Sequence, residues 1–275
     1  MNSTTPRAVG PAENRATGTP PSSSAVVRPP GVARPMATAR RAACRANFDG
    51  VTEIRAVGFD LDGTLFDHRG AASTAVDAFL SSLGAHPSAA ARELWFAAEE
   101  AEFERWRSGL ITFQEQRRRR LLAVLPQLGV AIDEAPHRLD LLFVDYLSAY
   151  RAAWQAFPDV LDVLASLRSK GVRLGILTNG SAEQQWDKLQ ATGIHESVDV
   201  ICISEEIGAQ KPSREAFETL AQRLEVAPAE CLFIGDDPRH DLAGARAAGM
   251  HAALIERYRE GSGGLAGIVH SALAG

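Results

Sequence analysis

The chain has 275 residues, 45% of them hydrophobic and 23% charged, with a formal net charge of −5. That length holds one large domain, or a core domain with an accessory one, and the hydrophobic share is enough to bury a real core. The acidic balance argues against a nucleic-acid-coating protein, and no apolar stretch approaches the length of a membrane span.

Residues 1–50 are rich in Pro, Ala, Ser, Thr and Arg and show no apolar period. Seven arginines, from Arg7 to Arg45, stand against Glu13 and Asp49. Such a segment cannot bury a core and is predicted to be a disordered extension. Its Arg-rich, acid-poor character also resembles an organelle transit peptide, and a start codon placed too far upstream would read the same way. Cys44, Cys202 and Cys231 form no metal-type spacing. The latter two lie inside apolar runs and read as reduced core residues, which fits a cytoplasmic protein.

The run Ala56-Val57-Gly58-Phe59 is a short apolar strand without alternation, as expected of a strand buried on both faces. It ends in Asp60-Leu61-Asp62-Gly63-Thr64-Leu65. Two carboxylates at the mouth of a buried parallel strand face the crevice where open α/β sheets bind ligands. Held close, they repel, so at least one needs a cation or a raised pKa. One can act as a nucleophile and the other can transfer a proton.

Four helices follow in residues 67–156. The first spans about residues 71–83, with Val76, Phe79, Leu80 and Leu83 at helical spacing, and Gly84 ends it. The second covers 89–107 and carries Trp95, Phe103 and Trp106. Thr112 and Glu115 have the spacing of a capping box for the third. The fourth spans 133–154 and is apolar at Leu139, Phe143, Tyr146 and Tyr150. Four such helices make a small bundle. Its aromatic residues, Phe113 included, read as bundle core, with one available to stack on a base. The run Arg117-Arg118-Arg119-Arg120 points in all directions from a helix and reads as a solvated face.

From Pro158 onward helices and short apolar strands alternate, with strands near 172–177, 198–204, 231–234 and 251–255. That pattern predicts right-handed βαβ units and a parallel, Rossmann-like sheet. Residues 157–260 together with 51–66 form the predicted α/β core, 67–156 an inserted α-helical domain, and 261–275 a tail that begins with the flexible Gly261-Ser262-Gly263-Gly264.

Polar equipment recurs at the strand ends. Thr178, with the N–H groups of Asn179 and Gly180 near a helix start, is placed to hold phosphate oxygens. Lys211 precedes Pro212 in a loop, where an ammonium can neutralise both a phosphate and a carboxylate. Gly235 leads into Asp236, Asp237 and Asp241. Asp60, Asp236 and a backbone carbonyl offer the two or three protein oxygens that suffice for Mg²⁺.

In this order the four segments resemble the motifs of the haloacid dehalogenase-like hydrolases, most of which are Mg-dependent phosphatases, and the helical insert is similar to that family's α-helical cap. The resemblance implies Asp60 as nucleophile and Asp62 as general acid/base. It implies that Thr178, Asn179 and Lys211 hold the phosphoryl group and that Asp60, Asp236 and the backbone carbonyl of Asp62 bind Mg²⁺. Asp237 and Asp241 are then supports around the metal and Lys211. The carboxylate at Asp62 favours a phosphatase over a dehalogenase, because an alkoxide leaving group needs a proton and a halide does not.

The stretches 177–193 and 203–208 resemble those of pyrimidine 5′-nucleotidases and N-acylneuraminate-9-phosphatases. The expected substrate is a small phosphate ester, a nucleoside 5′-monophosphate or a sugar phosphate, and not a nucleic acid polymer or a membrane. A phosphosugar mutase and a non-catalytic phosphate-sensing protein are the alternatives. His240 departs from the family's usual Asn, and Asp67-His68 match nothing in the pattern.

Overall fold

The computed structural model describes residues 53–274. The expected N-terminal extension, Cys44 with it, lies outside them. Five parallel strands form one sheet: β1 (Ala56–Phe59), β2 (Arg173–Thr178), β3 (Val200–Ile203), β4 (Cys231–Gly235) and β5 (His251–Leu254), in the order β3-β2-β1-β4-β5. β1 is central. Phe59 pairs with Ile176 of β2 on one side and with Ile234 of β4 on the other. The chain therefore reverses its direction of sheet growth at β1, which opens a crevice at the carboxyl ends of β1, β2 and β4.

The absence of alternation in these strands has the expected cause. Val57, Phe59, Leu174, Ile176, Leu232 and Ile234 enter the larger core cluster, while Ala56, Leu177, Cys231 and Phe233 enter a second one. Successive residues thus bury on opposite faces, and both faces are dry. The second face is covered by α8 (Arg214–Arg223), whose Phe217 and Leu220 are fully buried. Ser213 caps it through the N–H of Ala216.

The insert is a bundle of α1 (His68–Ser82), α2 (Ala89–Arg107), α3 (Phe113–Val124) and α4 (Pro136–Ala152). Its centre is aromatic: Trp95 lies 4.5 Å from Tyr146 and 6.0 Å from Phe79, ring centroid to centroid. Asp67 caps α1, Ser88 caps α2 and Thr112 caps α3. Only half of the expected capping box forms: the Glu115 N–H donates to Thr112, while its carboxylate faces Arg118 and Arg119. The two chain segments that join insert to core run side by side, since Phe157 N–H donates to Leu65 O at 3.0 Å and Asp67 N–H to Gln155 O at 3.0 Å.

One expectation is corrected. The C-terminal stretch is no tail. After the glycines it forms α10 (Leu265–Ala274), anchored by buried Leu265 and Val269 and by the Leu265 N–H on Asp159. The loop after β3 starts as a helical turn, α7 (Ser204–Ile207), which Gly208 ends. The helix after β4 begins as a π-helical turn, Pro238–Ala243, before α9 (Gly244–Ala247). Between β1 and β5, α5 (Val160–Ser169) and α6 (Ala182–Ala191) complete the layer on the first face.

Candidate active site

Asp60 follows β1 directly, and its N–H donates to Ile234 O of the neighbouring strand at 2.9 Å. The carboxylate is thereby fixed at the floor of the crevice and is almost fully buried. Lys211, also buried, reaches it from the loop before α8. Its Nζ donates to Asp60 Oδ1 at 2.5 Å and to Asp241 Oδ1 at 2.6 Å. Asn179 holds that lysine in place: its side chain accepts from Lys211 N–H at 2.8 Å and donates to Lys211 O at 2.9 Å. The Asn179 side chain is thus committed to Lys211, which leaves only its backbone for phosphate. The Gly180 N–H, expected to face phosphate too, is taken up by Ser204 Oγ at 3.0 Å.

Carboxylate oxygens of Asp60, Asp236 and Asp241 lie within 4.8 Å of one another. Asp60 Oδ2 is buried and has no hydrogen-bond partner. An all-oxygen cluster with an orphaned carboxylate oxygen fits a hard divalent cation such as Mg²⁺. The electrostatics agree. Burial, with Asp241 adding and Lys211 opposing, pushes Asp60 up to about 7. Burial, with Asp60 and Asp241, pushes Asp236 up to about 8. Two glycines make the crowding possible. Gly63, in the left-handed region at φ +85°, faces the Asp236 carboxylate so closely that any Cβ would collide with it. At Gly235 the space a Cβ would take is likewise filled, here by the Asp241 carboxylate.

Asp237 uses its side chain locally, accepting from the N–H groups of Arg239 and His240 and pairing with His240 Nδ1 at 2.7 Å. Its own N–H donates to Asp241 Oδ2 at 3.0 Å.

Asp62 is treated in the opposite way from Asp60. Lys188 of α6, buried beneath Phe66 and Tyr150, donates to Asp62 Oδ1 at 2.6 Å, and Gln185 Nε2 donates to Oδ2 at 2.8 Å. Burial would raise the Asp62 pKa, but Lys188 and His68 outweigh it and hold the carboxyl below its ordinary value. The same Gln185 donates to Thr178 Oγ1 at 2.5 Å, which leaves the threonine proton free to donate elsewhere. His68, unassigned in the sequence, stands 3.9 Å from Asp62, with Tyr150 OH 2.6 Å from its Nδ1 and Glu99 on its other nitrogen. Lys188, Gln185 and His68 escaped the sequence reading; helical spacing places Gln185 and Lys188 on one face of α6, and that was the available signal.

Core and cap enclose a cavity of about 230 Å³ lined by these groups. Gln210 Nε2 donates to Arg107 O at 2.8 Å across the junction, and Arg151 pairs with Asp187 at 3.2 Å. The four-arginine run is not a solvated face. Arg118 and Arg119 pair with carboxylates near the surface, but Arg117 and Arg120, three apart, face the cavity. Buried Arg120 pairs with Glu99, whose pKa, despite burial, is held down to about 2 by Arg120 and His68. Of the four aromatic residues assigned to the bundle core, Trp95 is there; Phe103, Trp106 and Phe113 pack edge to face and line the cavity.

Residues 54–249 match the family described as haloacid dehalogenase-like hydrolase. The chain is 33% identical over 208 residues to a glyceraldehyde 3-phosphate phosphatase of Methanopyrus kandleri, covering 74% of this chain and 84% of that protein. It is 30% identical over 200 residues to the phosphoglycolate phosphatase of Escherichia coli, covering 72% and 79%. Its fold is similar, at a TM-score of 0.63 and 24% identity, to the magnesium-bound putative hydrolase YfnB of Bacillus subtilis, with 74% of this chain and 87% of that one covered. Extent of match, motif order and site geometry agree: the chain belongs to the haloacid dehalogenase-like hydrolases.

Proposed function

We propose that the protein is a Mg-dependent phosphomonoesterase acting on a small phosphorylated metabolite through an aspartyl phosphate on Asp60. The observation that carries this reading is Asp60 itself: Lys211 holds one oxygen, and the other is buried and unpartnered beside the cavity that Asp60 lines. Asp60 attacks phosphorus in line while Lys211 and the free Thr178 proton take the phosphoryl oxygens. Bound at the Asp60–Asp236–Asp241 cluster, with the Asp62 backbone carbonyl, Mg²⁺ would keep Asp60 ionised and draw charge from the phosphoryl oxygens. Asp62 gives a proton to the leaving oxygen and then takes one from the water that hydrolyses the aspartyl phosphate. Its pair with Lys188 favours the second of these states.

The cavity volume bears on the size of the substrate. About 230 Å³ is below the roughly 300–1,000 Å³ of pockets that hold drug-sized ligands. This supports a substrate of a few carbons over a nucleoside 5′-monophosphate, and the similar glyceraldehyde 3-phosphate and phosphoglycolate phosphatases act on substrates of that size. The buried thiols of Cys202 and Cys231, the latter pushed up to about 12 by burial, suit a reducing cytoplasm.

The test is phosphate release from p-nitrophenyl phosphate with Mg²⁺ and with chelator, for the wild type and Asp60→Asn. The expected result is Mg-dependent release and a loss of several orders of magnitude in folded Asp60→Asn. Near-normal activity in that variant overturns the assignment.

A further inference from the structure

Three arginines face the cavity: Arg107, Arg117 and Arg120. Two are neutralised. Arg107 pairs with Glu100 at 3.1 Å and Glu104 at 3.0 Å, and Arg120 pairs with Glu99. Arg117 has no ion-pair partner among the described residues. Its one hydrogen bond is a long one, Nη2 to Gln184 Oε1 at 3.3 Å. Aromatic faces hold the guanidinium, with Phe113 at 4.7 Å and Phe143 at 5.5 Å from its central carbon. This fixes a planar fork of donors with little freedom left to lose. Burial and neighbouring Arg120 push its pKa down, against a smaller opposing pull from Glu183 and Asp140, neither of which forms an ion pair with it. Beside it, Gln116 Oε1 is buried, faces the same cavity and has no hydrogen-bond partner.

We propose that Arg117 binds a carboxylate on the leaving part of the substrate, so that the preferred substrates are small phosphorylated carboxylic acids rather than neutral phosphorylated carbohydrates. The phosphoryl group must sit at the strand ends, on Asp60 and Lys211; whatever departs lies under the cap, where Arg117 is. A guanidinium fork meets a carboxylate with two parallel hydrogen bonds. A compact carboxylate suits a cavity of about 230 Å³. Gln116 then accepts from a hydroxyl on the same short chain. The inference rests on the phosphatase reading, and the test separates the two.

The probes are 3-phosphoglycerate and glycerol 3-phosphate, which differ in a carboxylate against a hydroxymethyl group, with p-nitrophenyl phosphate as a measure of the chemistry itself. The expected result is a wild-type preference in kcat/KM for 3-phosphoglycerate. Arg117→Met, which keeps the stem between the rings, should raise KM for 3-phosphoglycerate by roughly 10- to 100-fold, as for one lost charge-assisted pair, with a smaller change in kcat. The ratio between the two probes should collapse toward unity, and Arg117→Lys should restore part of it. Equal losses on both probes in Arg117→Met would make the residue a mere link between α3 and Gln184 and overturn the inference. So would a wild type that hydrolyses p-nitrophenyl phosphate but shows no preference for the carboxylate. A wild type inert toward every phosphate ester overturns the phosphatase reading instead.

Discussion

In chelator this protein should lose stability as the pH rises from about 5 to about 8, against the habit of most acidic proteins, whose carboxylates are stabilised by pairing. The cause is the floor of the crevice. Burial lifts Asp60 from an ordinary 3.8 to about 7, and Asp236 to about 8. Between the ordinary and the raised value the folded chain holds a proton that the unfolded chain has released, so stability falls as pH rises. Each unit amounts to about 1.4 kcal/mol, so Asp60 alone costs on the order of 3 kcal/mol between about pH 5 and 7, with Asp236 acting in the same direction. Asp62 and Glu99 are shifted the other way, Glu99 to about 2. Their contribution is complete above the ordinary carboxylate range and does not change within this window. For a fold of this size about 3 kcal/mol corresponds to roughly 6–12 °C in thermal midpoint. The assay is thermal unfolding at both pH values, in chelator and in Mg²⁺. A bound cation supplies the missing counter-charge, so Mg²⁺ should flatten the pH dependence and add about 2.7 kcal/mol at a hundredfold excess over Kd. Asp60→Asn in chelator should lose the share of the slope that Asp60 contributes. A midpoint in chelator that is flat or rises over this range, or a slope that Mg²⁺ leaves unchanged, would refute the reasoning.

Two further predictions concern the proton. Asp62→Asn should lose roughly 10²- to 10⁴-fold on an alkyl phosphate but clearly less on p-nitrophenyl phosphate, whose leaving group hardly needs protonation; equal losses would make Asp62 structural. Lys188→Met keeps the apolar stem under Phe66 and Tyr150 but frees Asp62, so the limb of the pH–kcat/KM profile that belongs to Asp62 should move up by about one to three units; an unmoved profile would mean that Lys188 does not set its ionisation.

The core of the fold was legible because a parallel sheet leaves a plain record: short apolar runs, helices between them, and chemistry where each run stops. Asp60, Thr178, Lys211 and Asp236 all stand within the described strand ends or the loops that follow them, and all four line one cavity. Misreadings arose where tertiary contact overrode local composition. Gly261 to Gly264 suggest a loose end, yet Leu265 and Val269 behind them are buried and order a helix. Asn179 stands beside Thr178 and invited a share of the phosphate, but its amide is satisfied at both ends by the Lys211 backbone. A run of four arginines has no apolar period, so nothing in the sequence says that two of the four turn inward. What turns them is the packing of α3 against α2 and α4, a fact of the bundle and not of the run.

The two aspartates of the first motif show what spacing alone cannot specify. Asp60 and Asp62 are two residues apart and chemically identical, and mutual repulsion requires that at least one have a cation or a raised pKa. The fold resolves this with two buried lysines that arrive from different elements. Lys188 of α6 gives all of its charge to Asp62. Lys211 divides its charge between Asp60 and Asp241, while Asp236 crowds in from β4's end, so three carboxylates share one ammonium. The shortage is therefore confined to one side of the motif. Asp60 has only a share of one ammonium and an unpartnered oxygen, which favours a cation there, whereas Asp62 has an ammonium to itself. The proposed division of labour between nucleophile and proton carrier thus rests on where the second lysine stands, and Lys188 lies some 126 residues beyond the aspartate it holds.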